Sequence, residues 1–126
     1  GEIVEFQDIN DSVSAGDVVI QYATDWRQAD ADSELTSINM MGVALQDGDS
    51  GNKVLIRGFV RLAAGHIADT SGDEGDPLYL STTTSHVQFA APSGNNDYAR
   101  VIGYCIHETN DIVYFNPSTA WVKVSA

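Results

Sequence analysis

Apolar residues in this chain fall into short runs separated by polar gaps. The runs are DVVIQYA (17–23), NMMGVALQ (39–46), NKVLIRGFVRLAA (52–64), DPLYLS (76–81), HVQFAA (86–91), ARVIGYCIHE (99–108), DIVYFNP (111–117) and AWVKVSA (120–126). They are rich in Val, Ile, Tyr, Phe and Trp, and each is bounded by Gly, Asn, Asp, Ser or Pro, which is the signature of strands rather than helices. Several alternate with period 2, so one face meets a core and the other meets solvent. In KVLIRGFVRL the polar members Lys53, Arg57 and Arg61 lie four apart. The gaps carry turn chemistry: QDGDSGN (46–52), TSGDEGDP (70–77), APSGNND (91–97), and HETND (107–111), short enough for a hairpin. Only DWRQADADSELTS (25–37) offers a helical turn, and its polarity predicts a long loop or a single turn. The expected fold is all-β: a compact sandwich or small barrel of eight to ten short strands.

A repeat divides the chain. AGDVVI (15–20) aligns with EGDPLYL (74–80), and INMMGVALQD (38–47) with YARVIGYCIHE (98–108). The offset is 59 residues at Gly16/Gly75 and 61 at Gly42/Gly103. Each half reads Gly-Asp, strand, long loop, strand with a central Gly, turn, strand. The physical expectation is a turn in which Gly takes a positive φ and Asp braces the next backbone amide. The predicted organisation is one domain over 1–126, with an N-terminal arm or edge strand (1–12), a first half (13–64) and a second half (65–126).

Composition narrows the function classes. The chain has 126 residues, 6 Lys+Arg against 18 Asp+Glu, and a net charge of −12. Such a field repels polyanions, which argues against nucleic acid and anionic lipid as partners. No window of about 18 apolar residues is present to span a membrane. GEIVEFQ lacks the basic and long apolar regions of a signal peptide, and the missing initiator Met fits a processed chain or a piece of a longer protein. The single cysteine, Cys105, can form no intrachain disulfide, and its apolar run predicts a buried, inert thiol.

Candidate chemistry is sparse. DGDSGN (47–52) opens like an EF-hand loop but lacks its Gly and Glu positions. DTSGDEGD (69–76) gathers carboxylates, read as a solvated turn over a loose cation site. His66, His86 and His107 show no zinc spacing, and no Gly-x-Ser-x-Gly elbow is present, although a Ser-His-Asp set can assemble from distant positions. Glu5, Glu34, Glu74 and Glu108 lie in polar or terminal contexts, poor for a paired-carboxylate site. Tyr79, Tyr104, Phe89 and Phe115 sit within strand-like runs and are expected in the core. Trp26, in a polar stretch, is expected to be exposed and to contact a partner.

AGDVV, GVALQDGDSGNKVLIRGFVRL, GDPLYLSTTTSHVQFAAPSG and ARVIGYCIH together resemble the small β-rich capsid cement (decoration) proteins of tailed, including marine, bacteriophages. The matching positions are Gly16–Val19, Gly42–Ala44, Val54–Leu62, Gly75–Leu80, Thr82–Val87 and Ile102–Gly103, spread over about residues 13–115. The ending YFNPSTAWVKVSA is more like the closing strand of marine phage fibre or appendage domains. The resemblance implies a non-enzymatic virion protein with no cofactor or metal. It would sit on the outer capsid surface, often as a trimer, and brace major capsid subunits. The expected contacts are Ile3, Val4 and Phe6 of the arm, adding to a neighbour's sheet edge or pairing within its own sheet, and Trp26 with Arg27. The alternative is a receptor-binding or trimerisation domain of a tail or head fibre.

Overall fold

The computed structural model describes residues 1–49 and 51–125. Ser50, from the Ser-Gly of the 46–52 turn, and Ala126, the last residue of the 120–126 run, lie outside the described residues. Twelve strands form: β1 (Glu2–Glu5), β2 (Asp8–Ile9), β3 (Val18–Tyr22), β4 (Asp25–Gln28), β5 (Met41–Ala44), β6 (Lys53–Arg61), β7 (Pro77–Leu80), β8 (Val87–Gln88), β9 (Tyr98–Ala99), β10 (Val101–His107), β11 (Ile112–Phe115) and β12 (Val122–Lys123). Every one of the predicted runs holds a strand. The loop expected over 25–37 is corrected at its start, where β4 pairs with β3. Of the other strands, β1 and β2 fall outside those runs and β9 straddles the start of the 99–108 run.

The pairing path is β2-β4-β3-β5-β6-β11-β10-β7-β8, with β1 added to β6 and a separate β12-β9 pair. The path ends at β2 and β8, so the sheet is not closed into a barrel, and the sandwich expectation is the one that holds. The hinge is β6. Its first part pairs with β1 and β5 (Val4↔Val54, Val43↔Leu55), while Gly58 to Arg61 pair with β11. The first layer is therefore β1 to β5 with early β6, and the second is late β6 with β7, β8, β10 and β11. The handover falls at Gly58.

The space between the layers is filled from both. Val18, Ile20, Met41, Val43 and Leu55 of the first meet Leu78, Leu80, Ile102, Val113 and Phe115 of the second. A smaller cluster lies on the outer face of the first layer. There Val19, Trp26, Ala44 and Val54 are capped by Val4, Ile9 and Val13 of the N-terminal segment. Alternation explains the division: Val18 and Ile20 point inward and Val19 outward, and all three are fully buried. A strand buried on both faces reads as an unbroken apolar run, as Val18 to Ile20 do.

The repeat is real in three dimensions. Gly16 and Gly75 have φ of 92° and 91°. Asp17 N–H donates to Ser14 O (3.0 Å) and Asp76 N–H to Asp73 O (3.1 Å). In return the Asp17 and Asp76 carboxylates each accept from the first residue's N–H at 2.9 Å. A turn closed this way with positive φ at its third residue is type II, a conformation that favours Gly. The following strands then pair alike: Gly16 N–H to Ala44 O and Ala44 N–H to Asp17 O, against Gly75 N–H to Cys105 O and Cys105 N–H to Asp76 O. A third copy occurs at 94–97, with Asn96 at φ 70° in the glycine's place and Val124 as the pairing residue.

Candidate functional site

The outer face of the second layer is not consumed by the fold. In β11, Val113 and Phe115 point into the core, which sends Tyr114 outward. Register places Phe59 of β6 beside Tyr114, Tyr104 of β10 on its other side, and Pro77 of β7 beyond. The Phe59 and Tyr114 rings lie 5.1 Å apart at 54°, the tilted geometry aromatic pairs prefer. Phe59 is 68% exposed and Tyr104 47%, and Ile106 on the same strand is also exposed. Arg57 and Arg61 flank the row on β6 and are exposed as well. Tyr104 thus corrects the expectation of a core residue; Phe115 is in the core, and Tyr79 and Phe89 are half-buried. Parity misled here: Tyr104 lies two residues from the buried Ile102, and the register shift between Val101 and Gly103 turns it to the opposite face.

The two layers differ here. The outer face of the first is sealed by residues 4–13, whereas that of the second leaves Phe59 and Tyr104 exposed and Tyr114 half-buried.

The predicted contact residues separate. Ile3, Val4 and Phe6 belong to an arm that pairs with its own β6, through Ile3↔Leu55 and Val4↔Val54. Val4 packs on the smaller cluster, while Ile3 and Phe6 are 52% and 62% exposed. Trp26 is a correction: it is fully buried, on β4, and its indole N–H donates to Phe6 O at 2.7 Å. The arm covers it, which the polar neighbours in sequence did not reveal. Arg27 is exposed but engaged, bound to Asp25 at 2.8 Å and lying 4.6 Å over the Tyr22 ring.

A Ser-His-Asp trio does assemble. Asp17 Oδ1 lies 2.8 Å and Ser85 Oγ 3.4 Å from His66, but both approach Nε2. A proton relay needs the acid on one ring nitrogen and the nucleophile on the other. Here Nδ1 is buried without a partner among the described residues, and the ring stacks on His86 at 4.0 Å. The trio ties the 14–17 turn to the turns at 63–66 and 83–86. Burial opposes ionisation of Asp17, but hydrogen bonds from His66, Ser14 N–H and Gln28 outweigh it and hold the carboxyl below its usual value.

The acidic turns are used by the backbone. Asp47 accepts from Ala15 N–H, and Asp76 from Asp73 N–H. Asp11 approaches Asp49 and pushes that carboxyl up. Among the described residues no three His, Cys, Asp or Glu side chains converge as a cation cage. Glu74 accepts from Glu108 N–H at the acidic end of β10. Glu34 accepts from the Tyr98 hydroxyl, and Glu5 lies on β1. His107 is exposed at the end of β10, and its Nδ1 accepts from Asn110 N–H in the hairpin. No protein-family model, curated protein or solved structure matches the chain.

Proposed function

We propose that this chain is a virion structural protein, a capsid decoration protein that binds the outer capsid lattice and braces major capsid subunits, with no catalytic step of its own. The observation that carries the reading is the bare aromatic face of the second layer: Phe59, Tyr114 and Tyr104 in one row. Tyr, Phe and Arg are the residue types enriched where proteins meet. The motif resemblance supplies the virion context, and the charge of −12 suits a surface kept apart from packaged DNA. Many small contacts repeated over a lattice, and a trimeric arrangement of copies, would add up by multivalency. The arm, already paired at home, contributes through exposed Ile3 and Phe6 rather than by lending its edge.

The test adds purified protein to shells stripped of accessory proteins and images them by electron microscopy. Density at symmetric lattice positions, lost when Phe59, Tyr104 and Tyr114 are changed to Ser, is the expected result. Bare shells would sink the reading. Binding to host cells or host polysaccharide through the same aromatics would then assign a fibre domain.

A further inference from the structure

Arg100 is a buried cation without a counter-ion among the described residues. It sits between β9 and β10 and is 6% exposed. Its Nε donates to Ser118 O at 2.7 Å, and its Nη1 to Ser37 O at 3.0 Å and to Asn39 O. The ion pairs among the described residues are Arg27–Asp25, Arg57–Glu2 and His66–Asp17, and none includes Arg100. Carbonyl dipoles satisfy three N–H groups but carry no net negative charge to match the guanidinium's. Burying a charge is costly unless an anion joins it. Arg100 lines a groove of about 390 Å³ at the meeting of the 38–41 segment, β6 and the exit of β11. That size falls within the range of small-ligand sites, about 300–1,000 Å³.

Arg57 lines the same groove, and so do apolar side chains, Met40, Met41 and Ile56 among them. Two of the chain's six Lys and Arg residues therefore converge on one partly apolar hollow. We propose that this groove binds a monocarboxylate carried on a short apolar stem, with Arg100 and Arg57 holding the carboxylate and the methionines holding the stem. A single charge is favoured over a phosphate dianion, because each further negative charge works against the field of a −12 molecule. The fork of the exposed Arg57 suits a planar carboxylate, while the Arg100 charge, its Nε and Nη1 already held by carbonyls, adds to the attraction. Glu2 also lines the groove and lies 3.5 Å from Arg57, with both side chains more than half exposed. Ligand binding displaces it. The groove shares Arg57 and Glu2 with the edge of the aromatic face, where they lie beside Phe59 and Tyr114, but its ligand does not depend on the capsid reading.

The test uses the whole chain, isotope-labelled, titrated with N-acetyl-leucine and with its neutral amide. Expected are shifts at the Arg100 Nε–H and the Met40 and Met41 methyls with the acid alone. Arg57→Ala weakens binding about tenfold, and Glu2→Gln strengthens it by removing the competitor, on the scale of one ion-pair contact at a partly exposed site. Arg57 is exposed, so its loss leaves the fold intact, which circular dichroism verifies. A short peptide with a free C-terminus, compared with isovalerate, identifies the source of the carboxylate: tighter peptide binding assigns a chain terminus, and equal binding a small acid. Equal binding of acid and amide, no shift at about 10 mM ligand (tenfold above a Kd of about 1 mM), or unchanged affinity in Arg57→Ala would each overturn the proposal.

Discussion

Cys105 points into the core from β10 and is fully buried. Burial, with Glu74, Glu108, Asp76 and Asp111 nearby, pushes its thiol up to about 11. The thiolate is the reactive form, so native protein at neutral pH is expected to resist iodoacetamide and to react on unfolding; intact-mass measurement of labelling in and out of denaturant checks this. Asp17 behaves in the opposite sense. Its folded carboxyl titrates below the usual value, so ionised Asp17 stabilises the fold above the unfolded value of about 3.9. That contribution disappears as pH falls through the folded value. Asp17→Asn is expected to lower stability at pH 7 by about 1–3 kcal/mol, the range for hydrogen bonds to a charged group. It is also expected to flatten the fall in stability below pH ~4, as urea titrations across that range would show. The Cys105 environment was legible from its apolar run. The Asp17–His66 contact spans 49 positions and left no trace in either local sequence. Trp26 was misleading because its cover comes from Phe6 and Val4, twenty residues upstream, rather than from its own neighbours.

At the scale of elements, the type II turns launching β3 and β7 have one backbone shape and different surroundings. A Cβ on Gly16 would run into the backbone of Ala63, whereas one on Gly75 would meet nothing within 4 Å. Both substitutions to Ala carry the left-handed strain of about 1–2 kcal/mol. Gly16→Ala adds a clash with main chain that cannot move aside, so it is expected to cost clearly more than Gly75→Ala. Thermal melts of the two variants rank them; equal losses would contradict the packing. The Gly-Asp signature made these turns visible in advance. The third copy hid because Asn96 replaces the glycine, and its partner strand β12 is only two residues long. β4 was missed for a related reason: four residues with Trp26 as the sole large apolar side chain give too little alternation to read.

At the scale of the whole molecule, the all-β class and the two-part plan were legible because turn and strand signals agree along the chain. The asymmetry between a covered and a bare layer was not, since it depends on where the 1–13 segment comes to rest. The groove at Arg100 borders the aromatic face through Arg57 and Glu2. Strand β6 then has a consequence for how the protein melts. Its first part is clamped between β1 and β5, and its last four residues hold β11. Neither layer can come apart without stripping the other of a neighbour and opening the shared interior. Despite its internal repetition, the molecule should behave as a single cooperative unit, with calorimetric and van't Hoff enthalpies equal and one transition in the scan. A core substitution in the second layer, such as Val113→Ala, should then shorten the hydrogen-exchange lifetimes of β3 amides in the first, even though the two strands never pair.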